Sequence, residues 1–416
     1  MSLEWNDVVL KDVLSEKGYI RGPFGSALKR AEMKSEGIPV YEQQNAIYDN
    51  RIFRYFIDEE KYQSLKRFTT YTDDLIISCS GTVGKVSIIK DNDPKGIISQ
   101  ALLTLRVNKD LILPEFLKYF FSSYEGYNSL VSRSTGSVQV NISKRAVIEQ
   151  IPLKLPPLDI QQKIVYYLSL IDKKIETNEK INKNLDDILD LLFKEKFINN
   201  FSNNPFNWEI KKIKEIPLII TDYVANGSFA SLKENVSILD YPDYAYFIRN
   251  TDLKSKTFEK FVNKHSYDFL KKSSLFGNEV IISNVGDVGS VFLCPFLDKP
   301  MTLGNNMILV KSKDNTLNLN YYLYLLFRSN YGQYLLSTIT SGSVQLKFNK
   351  TEFKSLELTM PPDEEINSFN ELAIPLFEHK KVISSEIEKL QRLRDTLLPK
   401  LMSNEIDVSE INCDLE

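Results

Sequence analysis

Residues 134–143 read STGSVQVNIS, and residues 340–349 read TSGSVQLKFN. Two such similar decapeptides, 206 positions apart, suggest a duplicated unit if other features return at the same spacing. They do. Trp5 is answered by Trp208, VYEQQNAI (40–47) by YFIRNTDL (246–253), and DLIISCSGTVGKVSII (74–89) by EVIISNVGDVGSVFLC (279–294). FLKYFFSS (116–123) returns as YLYLLFRS (322–329), and Pro156-Pro157 as Pro361-Pro362. In this alignment Tyr41 falls on Phe247, Gln43 on Arg249, Gly81 on Gly286 and Gly84 on Gly289. The chain reads as two copies of one unit, each a mixed domain followed by a helix.

Bulk composition agrees. The 416 residues, 43% of them hydrophobic, suffice for two packed cores. No apolar run reaches the roughly 18 residues needed to cross a bilayer. The charged start MSLEWNDVVLKD does not read as a signal peptide. Three cysteines, Cys79, Cys294 and Cys413, share neither a repeat position nor a metal-type spacing, which predicts a reduced, cytoplasmic protein without a metal site. The two histidines, His265 and His379, read as surface or helix residues. The net charge of −3 hides an asymmetry: residues 361–416 hold 6 Lys+Arg against 13 Asp+Glu, while 1–155 (21 against 19) and 201–360 (18 against 15) are slightly basic. A local phosphate-binding face on either domain is therefore permitted, though not demanded.

Within each copy, β-branched arms flank a glycine-bearing turn, the signature of a hairpin. A run with helical spacing follows, at 114–132 and 320–338, then the GSVQ loop, a short strand and the Pro-Pro. The first long helix is expected from Asp159 to Phe197, the second from Phe377 to Met402. Their apolar stripes predict a helix-pair seam of Leu168, Ile171, Ile175, Leu185, Ile188 and Leu192 against Ile383, Ile387, Leu390 and Leu397. The first helix carries the chain from one domain to the next. The second, paired along its length, returns. The expected fold class is α+β: two tandem mixed α/β domains, each followed by a long helix, the helices pairing as an antiparallel coiled coil with pseudo-two-fold symmetry. The expected boundaries are a first domain at 1–155, a spacer helix at 156–200, a second domain at 201–360, and a second spacer helix with acidic tail at 361–416.

Two unlike domains on a rigid spacer suit an asymmetric reader of two DNA half-sites. Base reading needs amide or guanidinium groups that reach a groove, and the matched segments offer Gln43, Gln44, Asn45 and Arg249, Asn250. The GSVQ loop is the same in both copies, so it cannot discriminate half-sites. It suits either a common phosphate contact or a structural joint. The phosphate candidates are Arg133, Ser134, Ser137, Gln139, Lys144 and Arg145, with Ser343, Gln345, Lys347 and Lys350 in the second copy. Catalytic motifs are missing: Asn204-Pro205-Phe206 lacks the second proline of an adenine methyltransferase motif, and GTVGK (81–85) lacks the spacing of a phosphate loop.

In sequence the chain resembles the specificity (S) subunits of type I restriction–modification systems. The resemblance spans essentially all 416 residues. It rests on WNDVVLKDV, GPFGSALK, SGTVGK, STGSVQ and, above all, PPLDIQQKI entering the first long helix, with DYVANGSFASLK in the second half. The second copy departs from the pattern with PPDEEI in place of PPLDIQQ. The resemblance implies two target recognition domains reading a bipartite double-stranded DNA target, with the helices setting the gap. It implies partners too: two methyltransferase (M) subunits and translocase-nuclease (R) subunits. S-adenosylmethionine, ATP and Mg would sit on those subunits, leaving this chain non-catalytic and without a cofactor of its own. The rival readings are a duplicated protein–protein adaptor that never touches DNA, and a self-contained methyltransferase or nuclease.

Overall fold

A computed structural model describes residues 5–133, 140–199, 208–313, 318–342 and 345–409. The chain divides into two compact units, Met1–Asn178 with Glu386–Glu416, and Glu179–Ser385.

In the first unit Asn6–Val9 pairs antiparallel with Pro152–Leu155, joining the chain start to the strand before the long helix. A four-stranded antiparallel sheet runs in the order Leu14–Arg21, Leu102–Val107, Leu75–Ser78, Val86–Ile88. A smaller sheet holds Phe56–Ile57, Ile38–Tyr41 and Ile97–Ile98, the last two parallel. The second unit repeats this plan. Glu209–Lys212 pairs with Glu357–Met360, and Leu218–Asp222, Met307–Ser312, Val280–Ser283, Val291–Leu293 form the four-stranded sheet. Its smaller sheet has grown to five strands around the parallel pair Ala245–Ile248 and Met301–Leu303. The strands Leu75–Ser78 and Val280–Ser283 are buried throughout, as continuous apolar runs are when both faces are covered.

The hairpin turns explain one recurring spacing. Gly81 and Gly84 have φ of 60° and 80°, Gly286 and Gly289 of 77° and 89°, a region that L side chains enter only with strain. The helical runs that follow are each two helices, not one. Pro114–Ser122 breaks before Tyr124–Leu130, and Asn320–Arg328 before Asn330–Ile339. Ser123 and Ser329, both extended, cap the second helices by accepting from the Gly126 and Gly332 N–H groups. A Cβ on either glycine would lie 2.0 Å from the carbonyl oxygen of Phe120 or Leu326, so the sharp corner requires glycine.

The first long helix spans Leu158–Phe193 and runs on through a π-helical turn, Lys194–Ile198. The second spans Asp363–Met402, so it starts well before the expected Phe377. Pro375 lies inside it on the exposed face. There the carbonyl that loses its N–H partner remains open to water, and the buried series Ile366, Phe369, Ala373, Phe377 keeps the helix on the core.

Each unit takes part of both helices, and within each the two run antiparallel. In the first unit Asp172 accepts from Arg394 at 3.1 Å and Asn178 donates to Glu386 at 2.9 Å. Tyr119 adds its hydroxyl to the other Asp172 oxygen at 2.7 Å, tying the domain to both helices. In the second unit Asn182 donates to Ser384 at 3.2 Å, Lys380 pairs with Asp186, and Lys196 donates to Ser368 at 2.8 Å. Residue numbers fall on one helix as they rise on the other.

The inward stripe alternates steps of four and three: Ile164, Leu168, Ile171, Ile175, Asn178, Asn182, Leu185, Leu189. Of the expected seam residues, Leu168, Ile175, Leu185 and Ile383 are buried, while Ile171, Leu192, Ile387, Leu390 and Leu397 are half-buried. Ile188 is a correction: it is 43% exposed and Leu189 is buried instead, because one step of four beyond Leu185 falls on residue 189. Below this stripe the second unit is cemented by aromatic rings. Phe193, Phe197, Tyr322 and Phe369 lie with centroids 5.0 to 5.8 Å apart.

Candidate nucleic-acid interface

In both units the hairpin turn meets the start of a short helix. Strand register sets the match between them. Ser99 N–H donates to the Tyr41 carbonyl, and Gly304 N–H to the Ile248 carbonyl, from corresponding strands. Tyr41 therefore corresponds to Ile248, one place from the sequence alignment, and Gln43 corresponds to Asn250 rather than Arg249. Each is the first residue of its helix, Gln43–Ile47 or Asn250–Ser255. The Gln43 amide reaches within 3.4 Å of where a Cβ on Gly81 would stand. Asn250 donates to Ser283 Oγ at 3.1 Å and Asp287 Oδ2 at 3.3 Å on its own hairpin. The side-chain oxygens of both residues are buried and have no hydrogen-bond partner.

The other three base-reading candidates are occupied by the fold. Asn45 is fully buried. Its oxygen accepts from the Glu42 N–H at 2.7 Å, and its amide serves Asn50 and the Ile52 carbonyl at 3.1 to 3.2 Å. Gln44 donates to the same carbonyl at 3.1 Å. Arg249 grips the buried Asp252 with Nε at 2.9 Å and Nη2 at 2.5 Å. Asn45 and Asp252 are the third residues of capping boxes, and that i, i+3 spacing was the signal in the sequence that they serve the helix ends.

The residues that follow the second GSVQ, Leu346 to Phe348, are stitched to the hairpin turn. Gly286 N–H donates to the Leu346 carbonyl at 3.0 Å, Phe348 N–H to the Asn284 carbonyl at 3.0 Å, and the Asn284 amide to the Phe348 carbonyl at 2.9 Å. Gln345 sits against Gly286, its amide nitrogen 3.5 Å from a Cβ built there. Lys347 is exposed and bridges to Ser341 and Val285 through its backbone. Around the first copy, Val131–Arg133 pairs antiparallel with Val140–Ile142. Ser134, Ser137, Gln139 and Ser343 lie outside the described residues, and Arg133 is placed only by its backbone pairing with Val140. Lys144 is exposed. Arg145 donates to Glu149 at 2.8 Å and lies over the Tyr19 ring, 4.9 Å from its centroid. Lys350 is closed in an ion pair with Asp222 at 2.9 Å. For the second copy the geometry favours a structural joint, with Lys347 as its exposed cation.

Tyr127 and Gln333 went unnoticed in the sequence, yet they buttress the second glycine of each turn from corresponding helices. A Cβ on Gly84 would stand 2.9 Å from the Tyr127 ring. Gln333 donates to the Gly289 carbonyl at 2.8 Å. Burial pushes the Cys79 thiol up to about 11 and the Cys294 thiol well above its usual range, so neither is a thiolate nucleophile at neutral pH. Among the described residues no group of three or more His, Cys, Asp or Glu could hold a metal ion, and no helix is long and apolar enough to cross a membrane.

Comparison with known proteins converges on one family. The model of the type I restriction modification DNA specificity domain matches residues 3–187 and again 205–400. The type I restriction enzyme MjaIX specificity subunit of Methanocaldococcus jannaschii is 27% identical over 329 residues, covering 73% of this chain and 72% of that protein. The type I restriction enzyme HindI specificity subunit of Haemophilus influenzae is 21% identical over 392 residues, covering 76% and 83%. Among solved structures, the type I restriction-modification S subunit from M. genitalium superposes with a TM-score of 0.56 at 14% identity, covering 98% of each chain.

Proposed function

This chain belongs to the type I restriction–modification DNA specificity family as a non-catalytic specificity subunit with two tandem target recognition domains, and from that premise we propose that each unit reads one part of an asymmetric, bipartite duplex target. The long helices pair as an antiparallel coiled coil and set the gap between the two parts. Two methyltransferase subunits and the translocase-nuclease subunits dock on this scaffold in the cytoplasm and supply S-adenosylmethionine, ATP and Mg chemistry.

One observation carries the reading. At the same structural position, with the same hairpin beside it, one unit places glutamine and the other asparagine at the start of a short helix. Identical frames with unlike reading groups are what an asymmetric reader needs, and an adaptor gripping two copies of one partner does not. The expected result of Gln43→Ala is relaxed sequence preference in the first part of the methylated motif alone, and of Asn250→Ala in the second part alone. Loss of one good base contact is worth roughly 1–3 kcal/mol, or on the order of 10- to 100-fold in discrimination. Adenine-methylation sequencing of hosts carrying each variant checks this. An unchanged motif in both would remove these two residues from base reading.

A further inference from the structure

A basic pair recurs in the two units at one structural position. Residues 62–70 read YQSLKRFTT and residues 267–275 read YDFLKKSSL. Each stretch ends a short helix, Glu59–Ser64 or Lys264–Phe269, and then turns through a 3₁₀ segment, Lys66–Phe68 or Lys271–Ser273. Strand register fixes the match. Thr69 bridges to Ile97, which faces Val40, and Ser274 faces Thr302, which faces Phe247. Val40 and Phe247 directly precede the corresponding residues Tyr41 and Ile248, so Thr69 corresponds to Ser274, Arg67 to Lys272 and Lys66 to Lys271. Leu65 and Leu270 before the pairs, and Phe68 and Ser273 after them, are buried and anchor the turns. All four cations are exposed. Other cations of these helices are spent on carboxylates: Lys61 pairs with Glu32 at 2.9 Å and Lys264 with Asp268 at 3.2 Å. Among the described residues the four cations of the turns have no such partner and meet only neutral groups. Arg67 lies over the Phe68 ring, 4.9 Å from its centroid, with its N–H edge clear of the ring face. Lys272 gives one Nζ proton to the Ala225 carbonyl at 3.1 Å and keeps the others.

Both turns stand at the end of the smaller sheet where the base-reading candidates begin. Thr69 runs antiparallel to Ile97 and Ser274 to Thr302, so the residues before them lie toward Ser99 and Gly304. There Ser99 and Gly304 donate to the Tyr41 and Ile248 carbonyls, and Gln43 and Asn250 open their helices. Two strand spacings, about 10 Å in all, separate the strand leading to each reading helix from the one that follows each basic turn. We infer that Lys66-Arg67 and Lys271-Lys272 are matched phosphate grips, one in each unit, that hold the duplex backbone beside each part of the target. Alike in both units, they carry no sequence information, as backbone contacts do not. The major groove is about 12 Å wide, so a cation about 10 Å from the group at a base edge reaches the phosphates of its wall. This inference rests on the DNA reading proposed above and adds to it a sequence-blind grip common to both units.

The test uses the full chain in complex with its methyltransferase subunits, bound across a salt series to a duplex bearing the motif found by methylation sequencing. Each phosphate contact contributes about 0.9 to the slope of log affinity against log salt. Lys66→Gln with Arg67→Gln is expected to lower that slope by about 1.8, as is Lys271→Gln with Lys272→Gln, and all four together by about 3.6. The affinity lost by either double variant should then be about 12-fold greater at roughly 50 mM salt than at roughly 200 mM. The loss should be the same for the intact motif and for duplexes altered in either part, with the melting temperature unchanged. Arg67→Lys and Lys272→Arg are expected to keep the slope. Wild-type slope and affinity in both double variants would overturn the grips alone. Weaker binding at unchanged slope, or loss of methyltransferase association, would overturn them by giving the cations to the fold or to a protein carboxylate. A loss confined to duplexes with one part of the motif intact would overturn them by making the cations base readers. A wild-type complex with salt-insensitive affinity would overturn the DNA reading, and the grips with it.

Discussion

Replacing Phe369 by alanine is expected to destabilise the second unit by about 3–5 kcal/mol, the range for truncating a buried aromatic residue. Phe369 is fully buried and touches Phe193 and Phe197, at centroid distances of 5.8 and 5.3 Å. It joins three elements: the second long helix, the end of the first where it loosens into a π-helical turn, and through those rings the helix bearing Tyr322. For a unit of this size about 2–4 °C is lost per kcal/mol, so calorimetry should record a fall of roughly 10 °C. Phe369→Leu, which nearly conserves volume, should cost below about 1.5 kcal/mol. An alanine variant that melts with the wild type would mean the aromatic cluster does not hold the helices to the domain.

Inserting three heptads into each long helix, at matching points near Asn182 and Ser384, is expected to abolish methylation at the native motif and create a motif with both parts unchanged but a wider gap. Three heptads add about 31 Å at 1.5 Å per residue. One duplex turn is roughly 34–36 Å, so the gap should grow by about nine or ten base pairs with both domains facing the same side of the duplex. A single heptad adds about 10 Å but would leave the second domain rotated away from its groove, and should methylate poorly at any gap. An unaltered gap in the methylome of the three-heptad variant would refute the spacer role of the helices.

The architecture was legible in the sequence because duplication writes every structural requirement twice. The two glycines of each hairpin recur since both need positive φ, and the first long helix was bounded closely by its stripe and by Pro156-Pro157. What escaped was local. Ser123 and Ser329 break their helices in sequences whose apolar spacing reads straight through them. Pro375 removes one helical N–H, yet on the solvent side of a well-anchored helix it is tolerated. Ile188 looks like a seam residue by composition, but Asn178 and Asn182 hold seam positions and shift the count to Leu189. At the interface, polar loop residues looked alike in sequence. Only hydrogen bonds separate Gln43 and Asn250, which keep an idle oxygen, from Asn45 and Arg249, which are consumed by helix caps.

Sequencing of modified adenines in host DNA, with this chain present and with its gene deleted, tests the central claim most directly. The expected result is one asymmetric motif, two short defined parts around a fixed undefined gap, methylated only when the chain is present. Identical methylation in both strains would contradict it.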